Sequence, residues 1–119
     1  MSQTKRIPHD QLGEYFDAFS RRFLMRGSPE AVDIELVGPE IGDQFVASGV
    51  RLLGVDYDHN TNALEIQLES GDRRVYDARE VWTIEEPDGF ISSMEVVLAD
   101  GTRQVVTMKP VGLRRSNPR

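Results

Sequence analysis

The hydrophobic period of this chain changes at Pro29, and that change dictates most of what it can fold into. Before it, Leu12, Tyr15, Phe16, Phe19 and Phe23 recur at i, i+3, i+4, i+7 and i+11, the spacing of one apolar face of a helix. Glu14, Asp17 and Arg21 fall opposite, so the spacing predicts an amphipathic helix over residues 8–24. Pro8 suits the first turn, and Asp10 lies where a carboxylate meets the positive end of the helix dipole. Gly27, Ser28 and Pro29 supply the stop.

After Pro29 the period is two. Val32, Ile34 and Leu36 alternate with Asp33 and Glu35, and the pattern returns in Leu64–Leu68 and Met94–Leu98. Residues 50–57, 81–84 and 105–108 are runs rich in β-branched and aromatic side chains. Turn chemistry separates these segments: Gly38-Pro39, Asp58 to Asn62, Ser70-Gly71-Asp72, Pro87-Asp88-Gly89 and Asp100-Gly101. The gaps are too short for crossover helices, so neighbouring strands should pair antiparallel. The expectation is an α+β, mostly β domain, with the N-terminal amphipathic helix packed on a curved antiparallel meander of six to eight strands. Gly42, Gly49 and Gly54 lie where a long strand can bend, and strong curvature would make a partly closed barrel. Asp77 to Glu80 interrupts its strand with charge, as either a bulge or a short turn.

A chain of 119 residues fits one domain, expected over residues 1–110, with the β-rich body at about 31–109. With 39% apolar and 29% charged residues it lies outside the disordered and membrane ranges. No run approaches a spanning helix, and Met1 to Arg6 lacks the apolar stretch of a signal peptide, which points to the cytoplasm and to no membrane partner. The net charge of −6 is uneven: residues 1–108 hold ten cations against twenty anions, while Lys109, Arg114, Arg115 and Arg119 end the chain. Such an acidic body repels phosphate backbones, so nucleic acid is not an expected partner. Residues 111–119 read as a flexible basic tail.

Catalytic constellations are sparse. Zero cysteines exclude disulfides, Cys-ligated zinc, iron–sulfur clusters and thiol nucleophiles. The two histidines, His9 and His59, have no metal-ligand spacing, and no serine sits in a Gly-x-Ser-x-Gly elbow. No phosphate-binding glycine loop occurs, and Glu85-Glu86 reads as a solvated turn pair. Asp56, Asp58, Asn60 and Asn62 alternate as a calcium loop begins. From Asp56, however, the sixth and twelfth positions are Thr61 and Gln67; from Asp58 they are Ala63 and Glu69, and both frames end inside a strand. A hairpin turn fits better. No catalytic residue, metal or cofactor is expected. Arg73-Arg74 reads as surface ion-pair cations.

Six fragments, in order, carry a family likeness: Ile7-Pro8-x-Asp10; Tyr15-Phe16-Asp17-x-Phe19-Ser20-Arg21; Glu40-Ile41-Gly42-Asp43-Gln44; Gly54-Val55-x-Tyr57-Asp58; Arg79-Glu80-Val81-Trp82; and Met94-Glu95-Val96-x-x-Ala99-Asp100-Gly101-Thr102. The chain resembles a bacterial family of small acidic proteins known only as a domain of unknown function, with an aromatic N-terminal helix ahead of a β-rich body. The resemblance implies a single domain and brings no activity with it.

Two functional expectations follow. The first is a non-catalytic binding or assembly module that offers sheet edges and an acidic surface to a protein partner or to another copy of itself. The second is a small ligand-binding protein or enzyme with a cavity between helix and sheet, lined by Tyr15, Phe19, Tyr57 and Trp82.

Overall fold

The computed structural model describes residues 1–24, 30–38, 40 and 42–110. Its elements are β1 (Gln3–Arg6), a 3-10 turn (His9–Gln11), helix α1 (Leu12–Phe19) running into a π-helical turn (Ser20–Leu24), and seven further strands. These are β2 (Glu30–Gly38), β3 (Gly42–Asp58), β4 (Ala63–Leu68), β5 (Arg73–Val75), β6 (Ala78–Glu85), β7 (Ile91–Leu98) and β8 (Arg103–Pro110). The expected stop at Gly27 to Pro29 and the tail at 111–119 lie outside the described residues.

Helical backbone thus begins one residue after Pro8, which is extended at φ −61° and ψ 147°, and ends as a π-helical turn. At that transition the Ser20 hydroxyl donates to the Val55 carbonyl (3.2 Å) and accepts from the Val55 N–H (3.3 Å). Leu12, Phe16 and Phe19 are buried, as the helical spacing predicts.

All eight strands form one antiparallel sheet in the order β1-β6-β7-β8-β2-β3-β4-β5. The expected single meander is in fact two, β2 to β5 and β6 to β8, joined where β8 lies beside β2, with β1 added outside β6. Period-two patterns are the same whichever strands neighbour one another, so they do not carry this order.

The sheet curls strongly but stays open. Tyr76 and Asp77 alone carry the chain from edge strand β5 to β6, near the other edge. Across the hollow, Arg73 Nε of β5 donates to Gln104 Oε1 of β8 at 2.9 Å. The partly closed barrel is not completed, because β5 pairs only with β4 and β1 only with β6. At the corner both expected devices occur: Asp77 takes a left-handed φ of 59°, and the β6–β7 register slips between Ala78 and Glu80.

The core fills the concave face under α1. Val32, Ile34, Leu64, Ile66, Val81, Met94, Val96 and Val106 point inward with Leu12 and Phe16. Among the described residues, the two buried polar side chains are satisfied, Gln104 by Arg73 and Thr83 by the Tyr15 hydroxyl. No described helix is long and apolar enough to cross a membrane.

Candidate functional site

The structure keeps Tyr15 and Phe19 together and sets Tyr57 and Trp82 apart from them and from each other. Phe19 is buried core, with ring centroids 5.4 Å from Phe23 and 6.1 Å from Phe90. Tyr15 is half-buried between α1 and β6; its hydroxyl donates to Glu85 Oε2 at 2.5 Å and lies 2.9 Å from Thr83 Oγ1. Burial first, and then the Glu85 carboxylate, push the phenol well above its ordinary value. Tyr57 stands at the far end of α1, donating to Asn62 Oδ1 at 2.6 Å.

Trp82 is on the other side of the sheet. Val81 and Thr83 are buried on the concave face, so strand alternation turns Trp82 outward, where Nε1 donates to Glu80 Oε1 at 2.9 Å. The four aromatics therefore do not line one cavity between helix and sheet; Tyr15 and Phe19 alone share an open pocket of about 200 Å³ there, with Arg22, Phe23, Glu85 and Ile91.

The chain's two histidines converge on Tyr57. The His59 ring packs edge-on to it at 4.9 Å and His9 at 6.3 Å, although His9 is far away in sequence. His9 Nε2 donates to the Ala78 carbonyl at 2.8 Å, and Asn62 Nδ2 donates to the same oxygen at 3.0 Å. A depression of about 400 Å³ lies alongside, bordered by Asp56, Asp58, Asn60, Glu65 and Arg74. Glu65 and Arg74 pair with one another at 3.9 Å, and part of the turn is bonded internally. Asp58 caps the Asn60 N–H at 2.9 Å, and Asn62 holds its left-handed φ of 50° with both ends of its amide bonded. Among the described residues, no group of three His, Asp or Glu is arranged to hold a metal ion.

The outer face carries a second hollow of about 370 Å³, bordered by Thr4, Glu80, Trp82, Ile84, Ser93 and Arg103. Arg103 Nη1 pairs with Glu95 Oε2 at 3.0 Å at its rim. Trp82 and Ile84 are 36% and 37% exposed, so the floor offers apolar surface beside charge.

The third feature is an edge. Residues 42–51 of β3 pair with β2 on one side, but β4 reaches back only to Leu52, and Glu69 N–H to the Arg51 carbonyl. Among the described residues, no strand pairs with the other side of 42–50. Phe45 and Val46 stand exposed there, at 65% and 40%. The remaining edges are short and cationic, β1 with Lys5 and Arg6 and β5 with Arg73 and Arg74, which discourages further pairing. The β3 edge carries only Asp43 and Arg51, one near each end. Two register slips bulge it, and at the second the Gly49 N–H, at a φ of 65°, donates to Asp33 Oδ1 at 2.7 Å.

A curled open sheet stoppered by a helix defines a small α+β protein. The chain belongs to the family of unknown function DUF5335, whose model matches residues 3–114. It is similar to an uncharacterized protein of Aquifex aeolicus (strain VF5), 39% identical over 108 residues that cover 90% of this chain and 93% of the relative. The likeness of the six fragments to a bacterial family of unknown function is thereby borne out, and no specific function comes with it. No solved structure matches the chain.

Proposed function

We propose that this protein is a non-catalytic binding module that recruits a protein strand along the 42–50 edge of β3. The observation that carries the reading is the contrast between edges: two short cationic ones, and one long one with exposed apolar side chains and backbone that, among the described residues, no strand pairs. Main-chain hydrogen bonds would supply affinity there, and Phe45 would supply an anchor. Zero cysteines support a cytoplasmic setting, and the acidic body supports a protein partner over nucleic acid. A benzophenone photo-crosslinking side chain placed at position 45, with position 74 on β5 as control, tests it in living cells. Adducts from position 45 and none from position 74 are expected; no adduct from position 45 overturns the reading.

A second reading, small-molecule binding, is favoured by the hollow beneath Trp82, whose 370 Å³ lies at the lower end of the roughly 300–1,000 Å³ of ligand sites. Trp82 is the only tryptophan, so its fluorescence reports on that hollow alone. A fragment library that leaves the emission unchanged removes this reading.

A further inference from the structure

We propose that the strand received by the β3 edge is the same edge of a second copy, paired antiparallel about a two-fold axis through Ala47. This rests on the strand-recruiting reading above and names its partner. In that register residue i faces residue 94 − i, so Asp43 meets the second copy's Arg51 and Arg51 meets its Asp43. Phe45 likewise meets Gly49 in both directions, and an aromatic ring laid across an edge glycine is a recognised way to stabilise such a strand.

The faces agree. Asp43 and Arg51 share a row with Arg103 and Lys109 of β8 through Val37 and Ala31, and those β8 residues point outward, opposite buried Gln104 and Met108. Gln44 and Val50, which face one another in the same register, lie on the inner rows through Leu36 and Val32. The two bulges flank Ala47, the extra residue being Val46 on one side and falling at Ser48-Gly49 on the other, so the axis maps one onto the other. Sliding the register by one residue sets Asp43 against an inward-facing position, and sliding it by two leaves both charges unpaired.

The Asp43 charge also acts within the monomer. Desolvation on the sheet, and then the neighbouring Asp43 charge, hold the Glu35 carboxyl above its ordinary range. A guanidinium arriving opposite Asp43 opposes that repulsion. The contact is isologous and closes on itself, so it yields a dimer and not a fibre.

Charge reversal on the full-length chain tests the register, read by sedimentation velocity over a concentration series. Wild type should dimerise. D43R and R51D should each self-associate roughly tenfold more weakly or less, because each opposes two like charges across the axis. Both positions are exposed, so at dilutions where wild type is monomeric the melting points should stay near wild type. An equimolar mixture of D43R and R51D should dimerise again, since every cross-axis pair is then Arg against Asp. A mixture that fails to dimerise, where wild type does, would overturn the register. A wild type that stays monomeric at 100 μM, while position 45 crosslinks to a different protein, overturns self-pairing but leaves strand recruitment standing. Slow amide exchange at 43–50 in a monomeric chain assigns the edge to the chain's own residues and overturns both.

Discussion

The Tyr15 hydroxyl and the Glu85 carboxylate meet at 2.5 Å, and through that bond helix α1 is fastened to strand β6. Lys5 of β1 reaches the other carboxylate oxygen at 3.2 Å, so one side chain ties three elements together. Tyr15→Phe should lower stability by roughly 1–3 kcal/mol, the cost of leaving half-buried partners unpaired. The phenol titrates higher in the folded chain than its usual 10.0. Its contribution is therefore complete below pH 10 and declines as pH rises beyond it, when the unfolded chain ionises first. Urea melts at pH 8 and pH 10.5 check this: the gap between wild type and Tyr15→Phe should narrow at the higher pH.

Phe16 is completely buried between α1 and the concave face, and Phe19 is 5% exposed. Phe16→Ala should cost roughly 3–5 kcal/mol, a large share of the stability of a domain this size. Circular dichroism melts give the answer; a melting point near wild type would mean that the cavity collapses without loss.

Asn62 holds Tyr57 and the Ala78 carbonyl at once, and it does so from left-handed backbone. Asn62→Ala should destabilise by roughly 2–3 kcal/mol, combining two lost hydrogen bonds with a poorer residue for that φ. Asn62→Gly, which relieves the backbone but not the bonds, should fall between. Added calcium at millimolar concentration should shift none of these melting points, because Asp58 Oδ1 and Asn62 Oδ1 already serve the turn and, among the described residues, no three acidic or histidine side chains are arranged around an ion.

Asp33 accepts the Gly49 N–H at the bulge and pairs with Lys109 at 3.1 Å, and both hold its carboxyl below the ordinary range. The stability this adds is present above the unfolded value of 3.8 and is lost as pH falls through the lower folded one. Asp33→Asn should thus be less stable than wild type by on the order of 1 kcal/mol at pH 6. The two chains should converge near pH 2, and acid-titration melts measure it.

The helix and most strands were legible because burial of one face writes its period into the sequence; Leu12, Phe16 and Phe19 and the Val81-Trp82-Thr83 alternation are read directly. β1 was not, since Gln3 to Arg6 has no apolar member and is ordered by pairing with β6. Neither was the meeting of His9, Tyr57 and His59, which depends on how the helix start docks beside the β3–β4 turn. The fate of Trp82 could have been found: once Val81 is set inward, its neighbour cannot face the helix. The β3 edge was hidden for a different reason. Which half of a long strand lacks a neighbour depends on where β4 stops, and that is a matter of pairing lengths rather than of any local signal.

The placement of β1 beside β6 also sets an order of events at the ribosome. Gln3 to Arg6 are made before the other described strands, yet their partners are Trp82 to Glu85. At about 5–20 residues per second the interval between them is roughly 4–16 s. Throughout that time the newborn helix has Leu12, Phe16 and Phe19 but not yet the β6 and β7 surfaces that complete their cover. Strand β1 is thus made well before it can be paired, and the aromatic face of the helix that follows it stays only partly covered through the same interval.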